Sequence, residues 1–168
     1  MRRSLPLLGC VVLLAVSGMP IAAQQRHTLG LNLRVIGSTE VGITWSLSPS
    51  LVLRPSIEAN WDKFRSRTGS NFITTTSVAL NLDLLLPLRT EQRVTPYWGI
   101  GASLGRFWSD AGDATTWAAR TIAGVRFAVV DRVDLFGELH IEYTHDSPLG
   151  NQRLAIGTSP IGIIVYLK

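Results

Sequence analysis

Thr95-Pro96-Tyr97-Trp98-Gly99-Ile100-Gly101-Ala102-Ser103-Leu104 sets Trp98, Ile100, Ala102 and Leu104 at alternate positions, with Tyr97, Gly99, Gly101 and Ser103 between them. Successive side chains of a β-strand point to opposite faces, so a period of two marks a strand with two different environments. One face here is bulky and apolar, the other small or polar. The pattern recurs on both sides of this stretch. Downstream, Ala123, Val125, Phe127 and Val129 oppose Arg120, Gly124 and Arg126. Then Val133, Leu135, Leu139, Ile141 and Tyr143 oppose Asp134, Glu138, His140 and Glu142. Upstream, Val78, Leu80, Leu82 and Leu84 alternate with Ser77, Ala79, Asn81 and Asp83. Before them, Leu51, Leu53, Ile57, Ala59 and Trp61 alternate with Arg54, Ser56, Glu58 and Asn60. Val41, Ile43, Trp45 and Leu47 face away from Glu40, Gly42, Thr44 and Ser46, and Leu29, Leu31, Leu33 and Val35 face away from Gly30, Asn32 and Arg34. The last stretch, Arg153 to Leu167, is apolar, but Pro160 and Gly162 blur its parity.

Eight strands of about ten residues match the length that crosses a bilayer at a tilt. Pro49-Ser50 and Asp131-Arg132 make short turns, and Pro87 to Arg93 a moderate one, on one rim. Lys63 to Asn71, Trp108 to Thr116 and Thr144 to Gln152 make longer loops on the other, where Gly37-Ser38-Thr39 alone is short. Short turns on one rim and long loops on the other fit an eight-stranded antiparallel up-and-down transmembrane β-barrel, an all-β fold. Pro55 and Pro160 fall inside strands and lack a ladder donor, so both are expected at bulges.

The rest of the chain agrees. At 168 residues it is one domain long, and only 17% of it is charged, below the roughly 25% of soluble proteins. No apolar run past residue 23 approaches the ~20 residues of a membrane helix. Met1-Arg2-Arg3-Ser4, the apolar Leu5 to Val16 and the small residues of Ser17 to Ala23 have the three-part layout of a secretory signal peptide. Cleavage is expected after Ala23, leaving residues 24–168 as the barrel domain. The only cysteine, Cys10, lies inside that leader, which excludes disulfides and thiolate metal sites from the mature chain. Losing Arg2 and Arg3 reduces the formal charge of +4 by two, and nucleic-acid binding has no support.

A soluble barrel hides its apolar face, whereas a membrane barrel turns it to lipid. The polar face mixes Arg34, Arg54, Glu58, Arg120, Arg126, Glu138, His140 and Glu142 with glycines and serines, which suits a narrow interior where opposite charges pair. Lysine is nearly absent from the strands. Trp45 and Trp98 fall toward the short-turn rim, and Trp61, Trp108, Trp117 and Tyr143 toward the long-loop rim, as two interfacial girdles would place them.

Thr95 to Gly105, together with Ala123-Gly124-Val125-Arg126-Phe127 and Asp131-Arg132-Val133-Asp134-Leu135, resembles the strands of small eight-stranded outer-membrane β-barrel proteins. The resemblance implies export through the periplasm, contact with outer-membrane lipid and lipopolysaccharide, assembly by the barrel-insertion machinery, and a monomer. Such proteins usually end in an aromatic residue, whereas this chain ends Tyr166-Leu167-Lys168.

Candidate chemistry is thin. His145-Asp146-Ser147 resembles the His-x-Ser element of lipid A deacylases, serine esterases in which Ser147 would be the nucleophile and His145 its base. Pro148 stands where that family has Asn, and no Asp or Glu follows to orient the imidazole. His140 shares a face with Glu138 and Glu142, so a metal site is conceivable, but a paired network with the interior arginines is the simpler expectation. No metal and no cofactor is expected. The expected function is a non-enzymatic barrel with a structural or surface-interaction role through its loops. The alternatives are the lipid A esterase and a small-solute channel, which a filled eight-stranded interior disfavours.

Overall fold

The computed structural model describes residues 28–34, 39–65, 72–88, 93–109, 112–148 and 150–167. Residues 1–23, expected to be a signal peptide, lie outside them, as do Cys10, Val35, Gly37, Ser38 and much of the segment between Lys63 and Asn71. Eight strands follow in order: β1 (Leu29–Arg34), β2 (Thr39–Ser48), β3 (Leu51–Arg65), β4 (Phe72–Pro87), β5 (Val94–Ser109), β6 (Gly112–Val130), β7 (Val133–Ser147) and β8 (Gln152–Tyr166). Each pairs antiparallel with its neighbours in sequence, and β8 returns to β1 to close the barrel.

The alternation decides which side is which. Outward residues such as Leu80, Ile100, Leu104 and Ile141 are exposed, while Arg54 is 1% and Asp83 0% exposed inside. The barrel is therefore apolar outside and charged within. Trp45 and Trp98 stand on the outside toward the rim of short turns, and Trp61, Trp108 and Trp117 on the outside toward the other rim.

Two details differ from the sequence reading, and a third follows it. The long strands outrun their apolar stretches: β5 reaches Ser109, β6 begins at Gly112 and β7 reaches Ser147, so Trp108–Thr116 and Thr144–Gln152 are largely strand rather than loop. Backbone pairing needs no apolar side chain, so the ladder continues past the point where the pattern fades. Pro55 needs no bulge. It pairs with Leu82 in an unbroken β3–β4 register, and the β2–β3 ladder merely skips between Gly42↔Ser56 and Trp45↔Leu53 without shifting. Pro160 does sit at an irregularity: Phe136 pairs with Gly162 but Glu138 pairs with Ser159, so β8 carries one extra residue there. That residue flips the parity. Gly157 faces inward above the bulge, and Gly162, Ile164 and Tyr166 face inward below it.

Candidate functional site

The barrel interior holds the candidate site. Its lower part, toward the short turns, is filled by ion pairs. Asp83, on β4, accepts from Arg54 Nη2 at 2.7 Å and from Arg120 Nη2 at 2.8 Å and Nε at 3.0 Å. Glu138, on β7, accepts from Arg54 Nη1 at 2.7 Å, from Arg34 and from the Tyr97 hydroxyl at 2.7 Å. Arg34 also pairs with Glu40, which accepts from Ser56. The Phe136 ring lies against both guanidinium groups, 5.5 Å from that of Arg34 and 5.2 Å from that of Arg54. Closer to the rim, Arg126 lies 3.1 Å from Asp134, and the Tyr166 hydroxyl donates to Asp134 while accepting from Arg126.

Close backbone approach makes this packing feasible. A Cβ on Gly101 would stand 2.1 Å from Asp83 Oδ1, and one on Gly124 would stand 2.5 Å from the Tyr97 ring. Four arginines therefore meet four acids: Arg34, Arg54, Arg120 and Arg126 against Glu40, Asp83, Asp134 and Glu138. Buried charges persist only when paired and hydrogen-bonded, and this layer meets that condition. The cavity among Thr44, Val52, Arg54, Tyr97, Arg126 and Ile164 measures about 20 Å³, room for about one water.

The other sequence-selected residues lie higher and are looser. Glu58 accepts from Asn60 and takes no ion-pair partner among the described residues. Glu142 is 3.9 Å from Arg120, already committed to Asp83, and accepts from Thr144 at 3.3 Å. His140 lies over Gly157 and makes no hydrogen bond or ion pair among the described residues. Among those residues no three His, Cys, Asp or Glu side chains converge as a metal site would require. So Arg34, Arg54, Arg120, Arg126 and Glu138 come together in the lower layer, while Glu58 and His140 stand apart from it.

His145 and Ser147 share the outer face, and the His145 ring lies 5.7 Å from that of Trp117. No hydrogen bond joins His145 to Ser147 among the described residues, and Asp146 is turned to the opposite face, where Thr116 donates to it at 2.8 Å. The His145 ring lies beside the upper aromatics Trp117 and Tyr143.

Seven members of the interior network lie beyond the residues singled out from the sequence: Glu40, Ser56, Asp83, Tyr97, Asp134, Phe136 and Tyr166. All have inward parity. The signal was present for Glu40, Ser56, Asp83, Tyr97 and Asp134 in the alternation itself. Phe136 is apolar on the polar face, and Tyr166 lies beyond the bulge that blurs β8.

No protein-family model matches the chain, and no curated protein matches it. Solved structures similar to it include two outer-membrane proteins. Neisserial surface protein A is 16% identical over 83% of this chain and 93% of its own, with a TM-score of 0.59. A major outer membrane protein from Thermus thermophilus is 12% identical over 83% of this chain and 98% of its own, with a TM-score of 0.45. The likeness to the neisserial protein is one of fold: this chain folds as small outer-membrane β-barrels do.

Proposed function

We propose that this chain is an integral barrel of the bacterial outer membrane, exported through the periplasm, with a non-enzymatic structural or surface-interaction role. The observation that carries the reading is the inversion: Arg54 and Asp83 are sealed inside while Leu80, Ile100 and Leu104 stand exposed outside. In water that arrangement would leave an apolar belt uncovered, far larger than a soluble monomer tolerates. In a bilayer it meets lipid, and the outward tryptophans lie at two levels as interfacial anchors do. Outer-membrane lipid and lipopolysaccharide are then its surroundings, and the barrel-insertion machinery its partner during biogenesis. The ion-paired lower layer supports a plugged monomer rather than a channel.

The test is fractionation with gel mobility. The protein is expected in the outer-membrane fraction and to run differently in SDS gels with and without boiling. Recovery as a soluble periplasmic monomer would refute the reading. In planar bilayers the folded protein is expected to show no stable open level.

A further inference from the structure

The two aromatic girdles differ in what stands beside their rings. At the lower one, the outward neighbours of Trp45 along its strand are Ile43 and Leu47, and those of Trp98 are Pro96 and Ile100. The upper girdle carries a cation. Arg106 stands on the outer face of β5, two residues below Trp108 and two above Leu104, whose partner on β6 is Trp117. Outward rings therefore bracket it, and its guanidinium lies 5.7 Å from the Trp108 ring. In the proposed membrane setting this level is the boundary between hydrocarbon and head groups.

Register lines up further donors beside it. Arg106 pairs with Thr115, and Thr115 pairs with Ser147, so a guanidinium and two hydroxyls stand in one row across β5, β6 and β7. All three residues are exposed on the outer face. At a strand spacing of ~4.8 Å the row is about 10 Å long. His145 occupies the next outward position below Ser147, with its ring against Trp117. Below the row the wall is apolar: Leu104 and Trp117, then Ala102, Ala119 and Tyr143. One acid faces the same way. Asp113, the partner of Trp108, lies 3.6 Å from the Arg106 guanidinium, and both side chains are at least half exposed. An exposed pair of that length is weak and leaves the guanidinium open to a stronger anion.

We propose that this row binds a membrane lipid ending in a phosphate monoester, in the leaflet at the upper rim. Two phosphate oxygens accept from the planar fork of Arg106. The third accepts from the hydroxyls of Thr115 and Ser147, with His145 beside it. The acyl chain runs down the wall over Trp117 and Ala119. A terminal phosphate brings close to two charges and three acceptor oxygens, which suits a row of several donors. A diester brings one charge and two free oxygens, and a zwitterionic head sets its own cation against Arg106. The depth selects a lipid over a dissolved anion, because the row lies within the girdle and its lower edge is apolar.

The site rests on the membrane reading, and its test separates the two. The whole barrel is folded into phosphatidylcholine bilayers doped with phosphatidic acid bearing a diazirine near its head group. Crosslinked residues are mapped by mass spectrometry. The same probe on phosphatidylglycerol and on phosphatidylcholine is the control. Labelling at Leu31 and Ile43, on the far wall, reports membrane embedding alone. Expected is saturable enrichment at Trp117 and Tyr143 with phosphatidic acid only. Arg106→Gln should weaken it about tenfold, the size of one charge-assisted hydrogen bond. Asp113→Asn should strengthen it about two- to fivefold, because the competing exposed pair is gone. Both substitutions should leave labelling at Leu31 and Ile43 unchanged. Equal enrichment by phosphatidylglycerol, indifference to Arg106→Gln, or weakening by Asp113→Asn would overturn the site. So would displacement by inorganic phosphate at the lipid's own concentration, which marks a site for a dissolved anion. Absence of labelling at Leu31 and Ile43 with every lipid would instead overturn the membrane reading.

Discussion

The lower and upper halves of the same interior are built from the same strands in opposite styles. Below, Arg54, Asp83 and Glu138 are buried and share their hydrogen bonds around Phe136. Above, Glu142 and His140 are half-buried, and Ser77, Ala79, Ser103 and Gly105 line a wall without bulk. The lower half has room for about one water, so every charge there needs a protein partner. The upper half admits water, so its acids can stand with only weak partners. The difference shows that sign and spacing of charge on a strand face do not alone set its role. The depth of the position does.

The largest effect should come from breaking the lower layer. Asp83→Ala takes from Arg120 its close buried partner and leaves Arg54 with Glu138 alone, and losing one partner of a buried pair costs about 3–5 kcal/mol. Glu142→Ala, in the upper half, should cost about 1 kcal/mol or less. Equilibrium urea unfolding in lipid vesicles measures both, and similar penalties would erase the distinction between the halves.

Next comes the wall that both halves share. Leu80→Arg and Ile100→Arg put a charge into lipid and should each cost about 2–4 kcal/mol. Ser77→Arg, inward and among small residues of the upper half, should cost clearly less in the same assay. Equal or reversed penalties would mean that the apolar face does not meet lipid.

The smallest effect sharpens the space argument. Gly124→Ala presses on the Tyr97 ring in the packed half and should cost about 1–3 kcal/mol, the usual range for overpacking. Gly105→Ala, whose nearest neighbour would be 3.2 Å away, should be tolerated within about 1 kcal/mol. A larger penalty at Gly105 would show that the upper half is packed as tightly as the lower.

Much of this was legible because alternation is a local property. Trp98, Ile100 and Leu104 declare their face without knowledge of any other strand. Partners are not local. That Asp83 serves both Arg54 and Arg120 depends on the register of β3, β4, β5 and β6 together, which no single strand encodes. The face of β8 was illegible for a different reason: one extra residue opposite Gly137 inverts it midway, so no single parity fits Arg153 to Leu167. Strand ends were misjudged because apolar alternation stops while pairing between polar residues continues, as at Thr115↔Ser147.

The seam between β1 and β8 has an entropic consequence. Its register runs only from Gly30↔Tyr166 to Arg34↔Gly162, the shortest ladder in the barrel, yet it joins the two ends of the described chain. Every other ladder closes a hairpin. Bringing Arg34 to Glu138, 104 residues away in sequence, carries a loop-closure cost that a hairpin avoids. Of all the ladders, this one carries the largest loop-closure cost, and the Arg34–Glu138 ion pair between β1 and β7 ties the first strand to the far end of the chain.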